Sequence, residues 1–130
     1  MDEFYTRGTA NEGIRIDLYL PNGDKSDHWI EMRGVYSDEY RRAYRRLMAK
    51  ISDAAKGDDT ESRSKRLYDY EIELLSYLVK GWSFDKKPTQ KNIINFLMEA
   101  PQVADSLDFV ANDNKVFLEK KLLASSNGVS

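Results

Sequence analysis

From Ile14 the chain alternates: Ile14, Ile16, Leu18 and Leu20 carry one side, and Arg15, Asp17 and Tyr19 the other. A period of two belongs to a strand with one face against a core. Pro21-Asn22-Gly23-Asp24 follows, and it reads as a turn because Asn and Gly tolerate positive φ. A second short strand comes next, with Trp29, Glu31 and Arg33 opposed to Ile30, Met32 and Gly34. The two predict a hairpin with a loop of about seven residues, longer than the favoured turn. A lone hairpin is marginal in water, so another element must cover it.

After the hairpin the period lengthens. Ser37 is a good N-cap, and Asp38 and Glu39 suit the positive end of the helix dipole. Tyr40, Tyr44, Leu47, Ile51 and Ala55 then recur down one helical face, which should stop near Gly57 and lead into a Gly57-Asp58-Asp59 loop. A second helix is predicted from about Glu61 to Lys80. Leu67, Tyr70, Leu74 and Leu78 form one stripe, and Tyr68, Ile72, Leu75 and Val79 form another. So wide an apolar surface implies a central helix with neighbours on more than one side. Gly81 is placed to end it, and residues 82–88 form a connector carrying Trp82 and Phe84. Thr89 caps a third helix with Ile93, Ile94, Phe96 and Leu97 on its apolar face. Pro101 either ends that helix or opens the next, in which Val103, Leu107 and Val110 recur. Asn112 or Asp113 caps a last helix with Val116, Phe117, Leu122 and Leu123 as its apolar positions. The expected fold is α+β, mostly α: an N-terminal β-hairpin followed by a bundle of four or five helices. The expected organisation is a flexible arm over 1–12, a single domain over 13–124 and a flexible tail over 125–130.

Composition narrows the chemistry. The chain has 130 residues, enough for one domain to bury roughly two thirds of its unfolded surface without a disulfide or metal. Of these, 41% are hydrophobic and 32% charged, a globular profile with a highly charged surface. The net charge of −2 gives no overall field toward nucleic acid or an acidic membrane. There are no cysteines, so disulfides, thiolate metal sites and cysteine nucleophiles are excluded. Met1-Asp2-Glu3-Phe4 does not resemble the start of a signal peptide, and no apolar run approaches the roughly 20 residues of a membrane span.

Motif by motif, the bland reading wins over the catalytic one. His28, the sole histidine, is expected in the hairpin loop beside Asp27. Neighbours in an extended chain point to opposite faces, so Asp27 is poorly placed to orient it for catalysis. Asp58-Asp59 and Asp108 to Asp113 do not match a calcium loop. No GxGxxG, GxxxxGKS/T or GxSxG pattern is present. Arg41, Arg42, Arg45 and Arg46 repeat four apart and form a basic ridge that fits a phosphate backbone. The balance of charges favours instead a solvated helix back paired with Asp38, Glu39 or nearby acids. Trp82 and Phe84 either anchor a partner or pin the connector to the core, and Phe117, Leu122 and Leu123 either close the core or present a patch to another chain. These five are the candidate partner-binding residues. No catalytic, cofactor-binding or metal-ligating residue stands out.

The segment from Gly81-Trp82-Ser83-Phe84 to Pro88-Thr89-Gln90-Lys91-Asn92, then Ile93-Ile94-Asn95-Phe96-Leu97 and Pro101, resembles the tail assembly chaperones of long-tailed, siphovirus-type phages. In that family a helix ends in Gly-Trp, and a short loop leads to a capped Thr-x-x-Asn helix. The strand, the Pro-Asn-Gly-Asp turn and the Tyr/Arg-rich helix after Ser37 resemble the same proteins, so the likeness covers about residues 14–120. The resemblance implies a non-enzymatic role without cofactors. Such proteins bind the tape measure protein, keep its apolar helices soluble, recruit tail tube protein and then leave. It further implies a homo-oligomer, the short form of a pair whose longer form arises by frameshifting, acting in the host cell cytoplasm and absent from the mature virion. Neither nucleic acid nor membrane is an expected partner. A head-tail connector or tail-completion protein, and a small DNA-binding regulator, are the alternatives.

Overall fold

The computed structural model describes the chain apart from residues 55, 57, 58 and 127–130. A short turn of 3-10 helix at Asp2–Phe4 leads into α1 (Arg7–Glu12), β1 (Ile14–Tyr19) and β2 (Lys25–Met32). Then come α2 (Asp38–Ala54), α3 (Thr60–Ser76), β3 (Val79–Trp82), α4 (Gln90–Glu99), α5 (Pro101–Asn112) and α6 (Asn114–Ser126). The fold mixes α and β, is mostly helical, and holds one three-stranded antiparallel sheet in the order β1-β2-β3.

The alternation in β1 is realised through Leu18, whereas Leu20, expected on the same side, lies past the strand and is exposed. Ile14, Ile16 and Leu18 are buried while Arg15, Asp17 and Tyr19 face out. The turn is tighter than expected, because β2 begins at Lys25. Leu20 N–H donates to the Asp24 carbonyl at 2.7 Å, and Asn22 Oδ1 accepts the Asp24 N–H at 2.9 Å. Gly23 takes φ 95°, the left-handed conformation a glycine holds without strain. His28 therefore lies within β2 rather than in a loop.

A third strand joins the hairpin at its β2 edge, and helix residues such as Ile72, Leu97 and Leu107 cover its apolar face. The predicted helix to Lys80 ends at Ser76, and Val79–Trp82 pairs with β2, with Ile30 opposite Trp82 and Met32 opposite Val79. Gly81 does not terminate a helix; it sits in β3 opposite Glu31. Leu78 and Val79, read as the ends of two helical stripes, are buried all the same, so the apolar pattern was right and its period wrong. Ser76 fixes the corner. Its hydroxyl donates to the Glu73 carbonyl and accepts from the Gln90 side chain, which ties the end of α3 to the start of α4.

The helix boundaries follow their caps. Ser37 precedes α2, and its carbonyl accepts the Arg41 N–H at 3.0 Å. Asp59 caps α3 through the Ser62 N–H, Thr89 caps α4 through the Asn92 N–H, and Asp113 caps α6 through the Val116 N–H. Pro101 occupies the first turn of α5, where its missing N–H costs nothing. The expected stop at Gly57 lies outside the described residues.

Residues 7–12 were expected in a flexible arm, but they form α1 and dock. Arg7 pairs with Asp38 at 2.7 Å, Asn11 Oδ1 accepts the Asp38 N–H at 2.8 Å, and Ala10 is buried beneath Gly34. Gly13 then turns the chain into β1 at φ 80°, where a Cβ would stand 2.5 Å from the Met32 carbonyl oxygen. At the other end, residues 125 and 126 continue α6 rather than beginning a tail.

Two apolar clusters share the interior. The larger joins Ile30, Met32, Ile72, Leu78, Leu97 and Leu107 with Phe117; the smaller joins Ala43, Leu47 and Leu74. Ile72 and Leu74 place α3 in both, as its double stripe predicted. Among the described residues no helix is long and apolar enough to cross a membrane.

Candidate functional site

The connector aromatics pack on one another and on the core. Trp82 meets Phe84 and Phe96 edge-on, with ring centroids 5.2 and 5.6 Å away, and Phe84 lies 5.0 Å from Phe96. The Trp82 indole N–H donates to the Lys86 carbonyl at 2.6 Å, closing the loop on itself. Both residues are half-buried and pack on the main core. Edge-to-face triads of this kind add to the stability that area burial already supplies. Trp82 and Phe84 thus pin the connector to the core, and Phe84 also lines an open apolar groove with Leu20, His28 and Phe96.

His28 stacks on Phe84 at 4.5 Å, and its Nδ1 lies 3.0 Å from Ser83 Oγ. No bond joins it to Asp27 among the described residues. Ser83 Oγ also accepts the Trp29 N–H at 2.9 Å, while Ser83 N–H donates to the Trp29 carbonyl at 3.1 Å. The serine thus continues the β2–β3 ladder past its last strand pair, and no carboxylate among the described residues orients the imidazole. Fifty-five residues separate the two side chains, so nothing in the linear pattern announced the pair.

The last helix divides the remaining candidates. Phe117 is 3% exposed and touches the space beside Gly34, so it belongs to the core and cannot be offered to a partner without unfolding. Leu122 and Leu123 are 68% and 61% exposed. Phe109, on α5, is 63% exposed, and Leu118 stands partly out as well. Leu122 lies five residues after Phe117 and so takes a different face of α6.

The arginine ridge runs along the outer face of α2. The structure reassigns its expected partner, because Asp38 is taken by Arg7, whose guanidinium holds that carboxyl below the usual range with help from the Asn11 amide. Arg42 reaches Glu39 at 3.4 Å, and Arg46 donates to the Tyr77 hydroxyl at 2.8 Å. Arg41 and Arg45 have no carboxylate within ion-pair distance among the described residues, and both are exposed.

A second charged feature was missed. A cleft of about 330 Å3 opens between α2, α3 and α5, walled by Tyr40, Tyr68 and Leu75 and rimmed by Glu71, Asp105 and Asp108. Asp108 accepts from the Asn112 amide at 2.8 Å, and none of the three acids pairs with a base among the described residues. Burial, reinforced by the charge of Asp108, pushes the Tyr40 phenol up to about 12, so it stays protonated. Asp105 and Asp108 stand three apart on one helix, a spacing visible in the sequence; Glu71 joins them only through the tertiary fold. Among the described residues no cluster of three or more potential ligands is arranged around a metal position.

Comparison with known proteins gives no assignment: no family model, curated protein or solved structure matches this chain.

Proposed function

We propose that this chain is a non-enzymatic tail assembly chaperone, which binds the tape measure protein of a long-tailed phage and helps recruit tail tube subunits around it. The observation that carries the reading is the apolar surface of the last two helices, where Phe109, Leu122 and Leu123 stand more than half exposed. A large hydrophobic side chain held in water on a rigid helix suits an interaction surface. Holding a long helical ligand needs several weak apolar contacts that also release it, rather than an enclosed pocket. The resemblance supplies the class of partner; its Thr89-capped helix is present, whereas Gly81-Trp82, expected at a helix end, lies in β3.

In this reading the protein acts in the host cytoplasm as a homo-oligomer, alongside a longer frameshifted form, and departs before the virion is complete. Mass spectrometry of infected-cell lysate and of purified particles tests it. The chain should be abundant in the lysate and missing from particles. Stoichiometric presence in particles would make it a connector or tail-completion protein instead. The exposed Arg41 and Arg45 give the DNA-binding alternative its one support. Salt-titrated binding to duplex DNA separates it, because phosphate contacts weaken steeply as salt rises.

A further inference from the structure

Two charged features of opposite sign lie on different faces of the same molecule. Arg41 and Arg45 are one helical turn apart on α2, which sets their side chains about 5–6 Å from each other. Asp105 and Asp108, three apart on α5, have a similar spacing and face a cleft with Glu71 on the opposite wall. Tyr40 lines that cleft, and Arg41 lies about 100° further round the same helix, so a chain's own ridge is turned away from its cleft.

We infer that the Arg41–Arg45 ridge of one copy seats in the Glu71–Asp105–Asp108 cleft of the next, joining this protein head to tail. The matched spacing lets each guanidinium meet a carboxylate in the forked geometry that arginine favours. Tyr40, Tyr68 and Leu75 give the arginine stems apolar and aromatic walls, which strengthens such pairs relative to open solvent. A second copy accounts for both features at once, whereas nucleic acid would engage only the ridge. Because the two surfaces differ, the contact is heterologous and repeats, generating a ring or an open row rather than a closed dimer. A row of copies is the arrangement that can follow an elongated ligand. The inference rests on the self-association proposed above, but not on the identity of the tape measure partner.

Sedimentation velocity across a concentration series tests it. At low salt the wild-type chain should form species beyond a dimer, and these should dissociate as salt screens the contact. The charge reversal R41E/R45E, and separately E71K/D105K, should each weaken association by roughly tenfold or more. Circular dichroism melts confirm that both variants fold. Mixing the two variants should restore a complex, since each then supplies the surface the other lacks. A wild-type chain that stays monomeric at low salt would overturn the inference, and so would reversals that leave association unchanged or a mixture that fails to recover it. Retained solubilisation of the tape measure protein by a strictly monomeric chain would sink this inference alone and leave the proposed function standing.

Discussion

Phe117 and Leu122 share one short helix and opposite fates, and the difference is measurable. Phe117→Ala removes a ring from a packed interior and should cost about 3–5 kcal/mol of stability. Leu122→Ser removes a side chain already in water and should stay within about 0.5 kcal/mol. Chemical denaturation of the two variants gives both numbers, and equal losses would mean the exposure of α6 has been misjudged. Tyr40 makes a second residue-scale prediction. Its phenol is raised to about 12 in the folded protein against an ordinary value of 10.0. The protonated form is therefore the one the fold favours. That stabilisation is whole below pH 10 and is lost as pH climbs from there through 12, because the unfolded chain sheds the proton first. Tyr40→Phe should flatten the decline of stability in that window, read from denaturation midpoints at stepped pH.

At the scale of elements, α1 hangs on few bonds. Asp38 holds Arg7 and Asn11 at once, the Gly34 N–H donates to the Ala10 carbonyl, and Lys80 and Lys121 reach Glu12. The Asp38 carboxyl is depressed by Arg7, so its part of this attachment is complete above the usual carboxylate range and is lost as pH falls below it. Asp38→Asn should raise amide exchange at Ala10 and Gly13 while leaving β2 and α5 protected. Uniform loss of protection would mean α1 is part of the cooperative core.

The elements also show what the linear pattern reveals. Strand β1 and the capping residues Ser37 and Thr89 were legible because each depends on neighbours within a few positions, while Asp113 and Pro101 were each left as one of two choices that the structure decides. Strand β3 was not. Leu78 and Val79 extend the spacing of α3, and only pairing with β2 makes them extended. Helix α1 hid for the same reason, since Asp38 and Gly34 hold it from far along the chain. The candidate surface was half legible: Leu122 and Leu123 emerged as exposed, while Phe117 had the same hydrophobic character and went inside. Apolar identity marks a residue that wants to leave water, and tertiary contact decides whether this chain or another one covers it.

At the scale of the whole molecule, the chain carries an apolar surface at its C-terminal end, a basic ridge on α2 and an acidic-rimmed cleft between α2, α3 and α5. The cleft reaches both apolar clusters through Ile72, Ala104 and Leu74, whereas Arg41, Arg45, Leu122 and Leu123 stand exposed outside them. Such a division suits a protein whose work is to hold others. Co-expression with the tape measure protein of a long-tailed phage tests the proposed role most directly. The wild-type chain should move the tape measure protein from the insoluble to the soluble fraction and co-purify with it. The folded variant F109S/L122S should do so far less. A tape measure protein that stays insoluble beside the wild-type chain, or is kept in solution equally well by the variant, would contradict the account.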